Sequence, residues 1–393
     1  MTADAFDRIT RGVADLKTPD ALKEKLAKSA KTGKPLRVKL GIDPTARDIH
    51  LGFAVVLRKL RLFQDLGHQA VLIVGDYTAQ VGDPSGKSAT RPILSEADVR
   101  ANAQTYIEQI GKIVDLSKLE VRWNGEWFKK LAFLEVIALA SKLTVARMLE
   151  RDDFSKRLKE QAAIGLHELM YPMMQGYDSV MVEADVELGG TDQLFNLLVG
   201  RQLRPDFGQE SQVCLMTPIL VGLDGAKKMS KSYGNYIGIA ESPEEQYGKT
   251  MSIPDAAMRG WFTLCTDVPL AEVDAVLAGH PNDAKKRLAF EIVSIYHGKA
   301  GAERGAEHFR KTVVEKAAPE AMPEYKVAES PIWIVKLVAG AFSLSNSDAR
   351  RLVGQGAVSI DGVVTRDDKA NVEPRTGQVL KAGKRQYARL SVG

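Results

Sequence analysis

The stretch LRVKLGIDPTARDIHLGF, residues 36–53, decides how this chain folds. Its first half alternates apolar with charged residues, which predicts a half-buried strand. Gly41 and Pro44 then break the strand, and a helix is predicted to begin near Asp48 with His50 in its first turn. Backbone N–H groups and the helix dipole favour an anion at such a helix N-terminus. The stretch is therefore either a phosphate site or an ordinary connection between a strand and a helix.

Length and composition are ordinary for a soluble globular protein with two or three domains. The 393 residues are 45% hydrophobic and 26% charged. Two cysteines, Cys214 and Cys265, are too few for a disulfide framework, and neither belongs to a metal-binding pattern. The N-terminal segment lacks the apolar core of a signal peptide, and no uncharged apolar run approaches the roughly 20 residues that span a bilayer. We therefore expect a cytoplasmic protein without a membrane partner.

Positive charge is concentrated near the C-terminus. From Pro331 to the end, the chain has ten Lys or Arg and five Asp or Glu, a net charge of +5. The whole chain carries +4, so the first 330 residues sum to −1. A basic tail on a neutral body predicts one acidic partner, held by one end of the molecule.

The order of the predicted elements indicates the fold class. After the opening stretch, the predicted strands cover residues 70–74, 179–188 and 212–222. Predicted helices run from Ser95 to about Lys159, from Leu166 to Tyr177, from Thr191 onward and over residues 243–315. A linker over residues 317–331 follows, and then a helix and a hairpin that turns at Asp361-Gly362. Strands that alternate with helices predict an α/β fold with a doubly wound parallel sheet.

Three segments that suit phosphate follow predicted strands, and they are residues 41–50, 82–91 and 224–232. Ligands bind beyond the carboxyl ends of parallel strands, so these segments can converge. The third segment, the lysine loop of residues 224–232, has Lys227, Lys228 and Lys231 close together. It is either a solvated surface loop or a mobile loop that closes cations over a polyphosphate.

A helix that begins at about Leu166 and carries HELMYPMMQGYDS presents unusual polar side chains on one face. Tyr171, Gln175 and Asp178 fall at i, i+4 and i+7, so they point the same way. A phenol, an amide and a carboxylate are not core residues unless they have partners. The spacing therefore indicates a polar binding face.

Together these motifs resemble a known family. HLGF, residues 50–53, and KMSKS, residues 228–232, resemble the two signatures of the class I aminoacyl-tRNA synthetases. The YxxxQxxD pattern from Tyr171, followed by VELGGTDQ at 186–193, resembles the bacterial tyrosyl-tRNA synthetases, and DPTA, GDPSGKSATR, ASKLTVARMLERDDF and MQGYDS extend the likeness over essentially the whole chain. The resemblance implies a Rossmann-like catalytic domain over residues 1–232, a helical domain with the linker over 233–330, and a small α+β RNA-binding module over 331–393.

The resemblance also implies the reaction. Tyrosine is activated with ATP to tyrosyl-adenylate, and the tyrosyl group then passes to the 3′ end of tRNA(Tyr). Mg²⁺ arrives with the ATP, no permanent cofactor or metal site is expected, and the protein is expected to be a homodimer. Two other possibilities are a non-enzymatic RNA-binding protein derived from a synthetase, and an enzyme for tryptophan or for a tyrosine analogue.

Site residues are carried over position by position. For tyrosine, Asp178 accepts from the phenolic O–H, while the α-ammonium group is held by Tyr171, Gln175 and Asp83, and Gln193 lies beside the carboxylate. The residues implied for ATP are Gly41, Asp43, Gly190, Asp192 and Lys231 around the nucleotide, Thr45 and His50 at the γ-phosphate, and Lys87, Arg91, Lys228 and Lys231 around the departing pyrophosphate.

Two positions depart from the family pattern. Phe53 replaces the second His of the first signature, and we expect a modest loss or a change of role rather than an inactive protein. Lys39 stands where many relatives have a Tyr that contacts the phenolic O–H. It is either a tyrosine contact or an exposed strand residue.

The tail resembles the small S-four-type RNA-binding module through LSNSDARRLVGQGAVSIDG, residues 344–362. Its expected phosphate contacts are Arg350, Arg351, Lys381, Lys384 and Arg385. A merely solvated basic surface is the alternative. For the dimer, the sequence offers only the apolar surplus of FLEVIALASKLTVARML from Phe133, which a buried core helix would explain equally well.

Overall fold

A computed structural model describes residues 2–44, 48–84, 95–314, 322–383 and 386–392. The chain forms two compact units, residues 1–305 and 306–393. The predicted domain boundaries at residues 232 and 330 stay a prediction. Five predicted site residues lie outside the described residues, and these are Thr45, Lys87, Arg91, Lys384 and Arg385.

The strands of both units are short. In chain order they are β1 Asp15–Lys17, β2 Arg37–Ile42, β3 Gln69–Val74, β4 Leu119–Trp123, β5 Val186–Gly190, β6 Val213–Thr217, β7 Glu324–Val327, β8 Ile332–Trp333, β9 Val358–Ile360, β10 Val363–Thr365, β11 Asn371–Val372, β12 Val379–Ala382 and β13 Gln386–Val392.

Helices alternate with strands along much of the chain. In chain order they are α1 Thr2–Thr10, α2 Pro19–Thr32, α3 Leu51–Asp65, α4 Thr78–Val81, α5 Glu96–Ile110, α6 Gly125–Phe128, α7 Phe133–Ala140, α8 Val145–Leu149, α9 Asp152–Lys159, α10 Leu166–Met181, α11 Leu194–Leu203, α12 Pro243–Met251, α13 Met258–Cys265, α14 Leu270–Leu277, α15 Pro281–Phe309, α16 Ile334–Phe342 and α17 Asn346–Gly354.

The first unit is a doubly wound α/β sheet, as the sequence predicts. Its strand order is β1-β6-β5-β2-β3-β4, and all neighbours are parallel except β1, which runs antiparallel to β6. From β2 the chain adds β3 and β4 on one side, then returns to add β5 and β6 on the other. The order reverses between β2 and β5, where a crevice opens beyond their carboxyl ends.

Apolar side chains hold the sheet and helices together in one continuous core. β3 and β6 are almost wholly buried, as strands covered on both faces must be. The same core includes Leu57 of α3, Trp261 of α13 and Leu288 of α15. The helical segment after the lysine loop therefore packs into the first unit.

A buried ion pair interrupts this apolar sheet. Lys39 on β2 is fully buried beside Glu187, its register partner on β5. Its Nζ donates to Glu187 Oε1 at 2.8 Å, Ser179 Oγ at 2.8 Å and the Gln175 carbonyl at 2.9 Å, which uses all three ammonium protons. The reading of Lys39 as an exposed strand residue is wrong, because the neighbouring strand and α10 both cover it.

The second unit has its own small core. β10-β9-β12-β13-β7 form a sheet, β8 pairs with β11, and α16 and α17 contribute buried side chains such as Leu337 and Val353. The predicted hairpin is present, with β9 and β10 joined at Asp361 and Gly362, whose φ angles are 47° and 83°. Two positive φ angles are what a tight hairpin turn requires.

The structure corrects four of the predicted elements. β1 lies within residues 4–32, whose amphipathic pattern predicts helix, and β4 lies within residues predicted to be helical. Residues 179–181 extend α10 instead of beginning a strand, and residues 324–327, inside the predicted linker, form β7. Strands β1, β4 and β7 have three to five residues each, and each is held by a partner strand distant in sequence. Local periodicity is weak for such strands.

Replacement of Lys39 by Met should destabilise the first unit. The Glu187 carboxylate would stay buried without its cation, which costs about 3–5 kcal/mol. The double variant Lys39→Met/Glu187→Gln should recover most of this loss, because no charge is then left in the core. Urea unfolding measures both free energies. The exposed pair Arg61–Asp65 is the control, and Arg61→Met should cost less than about 1 kcal/mol. A small effect of Lys39→Met would contradict the buried pair.

Candidate active site

A cavity of about 410 Å³ opens where the strand order reverses. Its walls come from the ends of β2 and β5, the N-terminus of α3, the inner face of α10 and the lysine loop. Among the residues predicted from the sequence, those that line it are Gly41, Asp43, His50, Asp83, Tyr171, Gln175, Asp178, Gly190, Asp192, Gln193 and Lys228. Segments far apart in the chain therefore converge as the sequence predicts.

Asp43, just beyond β2, connects two walls of the cavity. Its carboxylate accepts a hydrogen bond from Thr78 Oγ1 at 2.8 Å and another from Tyr171 Oη at 2.8 Å. Gly75 makes room for it, since a Cβ there would lie 2.0 Å from Asp43 Oδ1. Tyr171 gives its only proton to Asp43, so its oxygen faces the cavity as an acceptor.

Asp178 lies at the inner end of the cavity and is almost fully buried. Trp127 Nε1 donates to Oδ1 at 3.0 Å, and Asn124 Nδ2 lies 3.3 Å from Oδ2. Burial raises the pKa of this carboxyl to about 7, against the opposing effects of the Lys39 ammonium and of these two hydrogen bonds. The cavity thus ends in a carboxylate with fixed orientation.

A second polar network lies beside Asp83. Asp83 accepts from Gln193 Nε2 at 2.8 Å and from Arg151 Nη2 at 3.3 Å. Asn196 accepts from Arg151 Nη1 at 2.9 Å and donates to both Gln175 Oε1 and Gln193 Oε1 at 3.0 Å. Three predicted site residues are therefore joined by two that the sequence did not single out.

Glycines shape the end of the cavity formed by β2 and β5. A Cβ at Gly190 would lie 2.6 Å from Asp192 Oδ1, so a side chain there would displace this carboxylate. A Cβ at Gly41 would meet no protein atom within 4 Å. Both backbones border the cavity, so a ligand can approach them closely.

His50 caps the cavity at the N-terminus of α3. Its position is set by backbone pairing, with Leu51 N donating to the Ile237 carbonyl and Ile239 N to the Ile49 carbonyl, both at 2.9 Å. Burial, then the positive charge of Lys231, lowers the pKa of His50 to about 4. The ring is therefore neutral at pH 7. Within the described residues its Nδ1 is buried without a hydrogen-bond partner.

The lysine loop lies across this helix N-terminus. Met229 packs against α3, where Gly52 N lies 3.3 Å from its sulfur, and Lys231 Nζ is 3.2 Å from Asp48 Oδ2. Lys227 instead lies over the ring of Tyr233. The three lysines of the loop thus have different surroundings.

The two residues that depart from the family pattern, Phe53 and Lys39, differ in whether they line the cavity. Phe53 lines the cavity and packs against the apolar core of the first unit. Lys39 does not line the cavity but lies beneath α10, where its protons are used internally. The structure therefore does not bring Lys39 to the predicted tyrosine contact.

Sequence reasoning missed five supporting residues, namely Thr78, Asn124, Trp127, Arg151 and Asn196. Arg151 lies within the ASKLTVARMLERDDF stretch, but nothing in its local pattern distinguishes it from a surface arginine. The local pattern at Asn124, next to Gly125, indicates only an interruption between predicted helices. The partners that give these side chains their roles are distant in sequence.

In the second unit, three predicted RNA-binding residues are described. Arg350 and Arg351 are exposed on α17, where they pair with Asp368 and Asp348 at 3.1 Å. Lys381 on β12 lies over the ring of Tyr387. Exposed ion pairs are weak, so these cations can exchange partners.

No described helix is both long and apolar enough to cross a membrane. Nor do three or more His, Cys, Asp or Glu side chains in the described ranges gather as metal ligands.

Comparison with known proteins places this geometry in context. Residues 31–314 match the family of class I tRNA synthetases (W and Y). The chain is 55% identical to the tyrosine–tRNA ligase of Moorella thermoacetica over 389 residues, 97% of this chain and 94% of the relative. It is 49% identical to the tyrosine–tRNA ligase of Thermotoga maritima, covering 98% of this chain and 96% of the relative.

Solved structures resemble the chain in fold. A C-terminally truncated mitochondrial tyrosyl-tRNA synthetase of Aspergillus nidulans gives a TM-score of 0.65 at 22% identity, covering 79% of this chain and 93% of that one. The tyrosyl-tRNA synthetase of Archaeoglobus fulgidus, complexed with L-tyrosine, gives a TM-score of 0.62 at 23% identity, covering 78% of this chain and 100% of that one. At these identities the likeness shows the fold alone.

The raised pKa of Asp178 predicts a pH-dependent cost to stability. The folded chain binds this proton more tightly than the unfolded chain, whose Asp has a pKa near 3.9, so stability falls as pH rises from about 4 to 7. Asp178→Asn removes that cost. The variant should therefore be more stable relative to wild type at pH 8 than at pH 5, by at most a few kcal/mol, since each pKa unit corresponds to about 1.4 kcal/mol.

Urea unfolding at the two pH values measures this difference. Any hydrogen bond lost with Asn is lost at both pH values, so it cancels. The exposed Asp20→Asn serves as the control. Equal stability changes for Asp178→Asn at pH 5 and pH 8 would show that the carboxyl titrates normally.

Proposed function

This chain belongs to the class I tRNA synthetases of the tyrosine and tryptophan group, and on that premise we propose how its cavity works. Its activity is ATP-dependent ligation of L-tyrosine to tRNA(Tyr), for protein synthesis. One observation carries the assignment of this activity to the cavity: the polar face of α10 and both signature segments, residues 50–53 and 228–232, meet there. We place the reaction in the cytoplasm, where protein synthesis uses its product.

The tyrosine ring enters towards Asp178. This carboxylate accepts the phenolic O–H, and Trp127 and Asn124 hold it in place for that bond. A carboxylate can accept about four hydrogen bonds, so it retains capacity beside these two donors. Phenylalanine lacks the hydroxyl and would leave a buried acceptor without its partner, which costs about 1–3 kcal/mol.

The α-ammonium group lies between Asp83, Gln175 and Tyr171. Asp83 supplies negative charge, and the Tyr171 oxygen can only accept because its proton goes to Asp43. A cation with three N–H donors suits three acceptors. Gln193, which bonds Asp83, lies beside the tyrosine carboxylate.

ATP binds at the ends of β2 and β5. Gly41 and Gly190 let the nucleotide approach the backbone, and Asp192 accepts from the ribose hydroxyls. The phosphates lie over the N-terminus of α3, whose dipole and N–H groups favour anions. Mg²⁺ comes bound to these phosphates as part of the substrate.

Chemistry needs no side-chain nucleophile. A tyrosine carboxylate oxygen attacks the α-phosphorus of ATP, its new bond forms as the bond to the bridging oxygen breaks, and pyrophosphate leaves with that electron pair. A hydroxyl of the terminal tRNA ribose then attacks the tyrosyl carbonyl, and AMP leaves. The site contributes positioning and stabilisation of developing charge.

The groups that stabilise the departing pyrophosphate include a neutral histidine and several cations. His50 is neutral at pH 7, so it acts as a hydrogen-bond donor at the γ-phosphate together with Thr45. Lys228 and Lys231 close over the phosphates, and Lys87 and Arg91 supply further positive charge to them. The Lys231–Asp48 pair is partly exposed and therefore weak, so a polyphosphate can displace Asp48.

The basic second unit binds tRNA. Its exposed Arg350 and Arg351 contact phosphates, as do Lys381, Lys384 and Arg385. Phosphate contacts position the RNA and carry no sequence information of their own.

A second copy of the chain covers the apolar surface around α7. Phe133 and Leu134 are 78% and 76% exposed, and Val145 and Leu166 on neighbouring helices are also exposed. Residues of α7 include only one charged side chain, Glu135. Obligate homodimer interfaces have this apolar character, and an exposed patch of this kind is unusual on a monomer.

Loss of a cation in the lysine loop should slow the first step. Lys231→Ala and Lys228→Ala should each lower kcat of tyrosine-dependent pyrophosphate exchange about 100- to 1,000-fold, the range for removing one transition-state donor. KM for tyrosine should not change, because its site is separate. Lys227→Ala is the matched control, since Lys227 lies over Tyr233, and it should retain activity. Equal losses in all three variants would contradict the proposed roles.

Charges on α7 should separate the subunits. Sedimentation of the wild-type chain at micromolar concentration should give twice the mass of one chain. Phe133→Glu/Leu134→Glu should give a monomer, because two buried carboxylates would face the partner. Val363→Glu, at an equally exposed apolar side chain in the second unit, should remain a dimer. A wild-type monomer would end the proposal.

A further inference from the structure

Arg151 is a buried cation that none of the proposed reaction steps uses. It precedes α9, and its side chain is only 6% exposed. The guanidinium lies 5.5 Å from the ring centre of Phe154 and 6.0 Å from that of Phe195. Burial of a guanidinium is costly unless its N–H groups are paired, so its partners indicate why it is there.

Those partners lead directly to the cavity. Nη2 donates to Asp83 Oδ1 at 3.3 Å and Nη1 to Asn196 Oδ1 at 2.9 Å, while Nε lies 2.8 Å from Asp153 Oδ1. Asp83 lines the cavity, and Asn196 bonds two further residues that line it. One rigid fork therefore connects the start of α9 to the predicted ammonium site.

A guanidinium can only donate hydrogen bonds, and this fixes the direction of every bond beyond it. The Asn196 oxygen must face Arg151, so its NH₂ group must face the side-chain oxygens of Gln175 and Gln193. Gln193 then has its own NH₂ group directed at Asp83, 2.8 Å away. Without Arg151, Asn196 could reverse, and both glutamine amides could reverse with it.

We propose that Arg151 is a positioning residue for the α-ammonium group of tyrosine, acting through Asp83 and Asn196. It holds the plane of the Asp83 carboxylate and keeps the Gln175 oxygen available at the ammonium position. This inference rests on the proposed placement of tyrosine in the cavity. Arg151 does not touch the substrate, so its loss should weaken ammonium recognition selectively.

Two tyrosine analogues separate this role from a general structural one. Tyramine keeps the phenol and the ammonium group, whereas 3-(4-hydroxyphenyl)propanoate keeps the phenol and the carboxylate. Both are measured as inhibitors of tyrosine-dependent pyrophosphate exchange in the full chain. In Arg151→Met, KM for tyrosine and Ki for tyramine should rise about tenfold or more, the cost of one misplaced charge-assisted hydrogen bond. Ki for the propanoate and KM for ATP should change less than about twofold.

Two further variants make the comparison decisive. Arg151→Lys keeps the charge but loses the planar fork that spans Asp83 and Asn196, so it should show the same selective loss even if Arg151→Met folds poorly. Arg157→Met removes an arginine of α9 that pairs with Glu168, and neither of these two residues lines the cavity. It should destabilise the chain without changing the ratio of the two inhibition constants.

The outcomes distinguish this inference from the proposed function. Equal weakening of tyramine and the propanoate in both Arg151 variants, or unchanged or tighter binding of tyramine, would overturn the inference while the function stands. A wild-type chain without tyrosine-dependent exchange would overturn the proposed function, and this inference with it.

Discussion

The pairing of β2 with β5 is the constraint on which the rest of the site depends. These strands are neighbours in the sheet although β3 and β4 lie between them in the chain, so their following segments leave in opposite directions. That divergence opens the crevice. Lys39 and Glu187 are register partners across the pair, and a slip of one residue would turn each away from the other. The buried ion pair therefore specifies the register that brings Gly41 and Gly190 together at the cavity.

Above that sheet, each acceptor of the cavity is oriented by a partner with a single hydrogen-bonding role, because Trp127 and Arg151 can only donate and the Asp43 carboxylate can only accept. Trp127 fixes Asp178, Arg151 fixes Asp83, and Asp43 takes the only proton of Tyr171. Each acceptor is thereby set before a ligand arrives, which lowers the cost of organising the site during the reaction. The cavity is acidic and preorganised where we propose that tyrosine binds, and it becomes cationic towards α3 and the lysine loop.

Much of this could be predicted from sequence because the informative residues are local. His50 at a helix start, the KMSKS segment and the i, i+4, i+7 spacing from Tyr171 each depend on near neighbours, and the structure brings these segments to one cavity. Lys39 and Arg151 could not be interpreted this way, since their partners Glu187 and Asp83 are distant in sequence. The short strand β7 could not be predicted for the same reason, because its partner β13 lies at the other end of the second unit's sequence. The roles of such residues and short strands depend on partners distant in sequence, which a local pattern does not identify.

The most direct test of this account is a crystal structure with an unreactive tyrosyl-adenylate analogue. We predict that the phenolic oxygen lies within hydrogen-bonding distance of the Asp178 carboxylate, and the ammonium group against Asp83 and Gln175. The ribose should lie beside Asp192. A ligand bound with its ring towards the lysine loop, or with Asp83 turned away from the ammonium group, would contradict it.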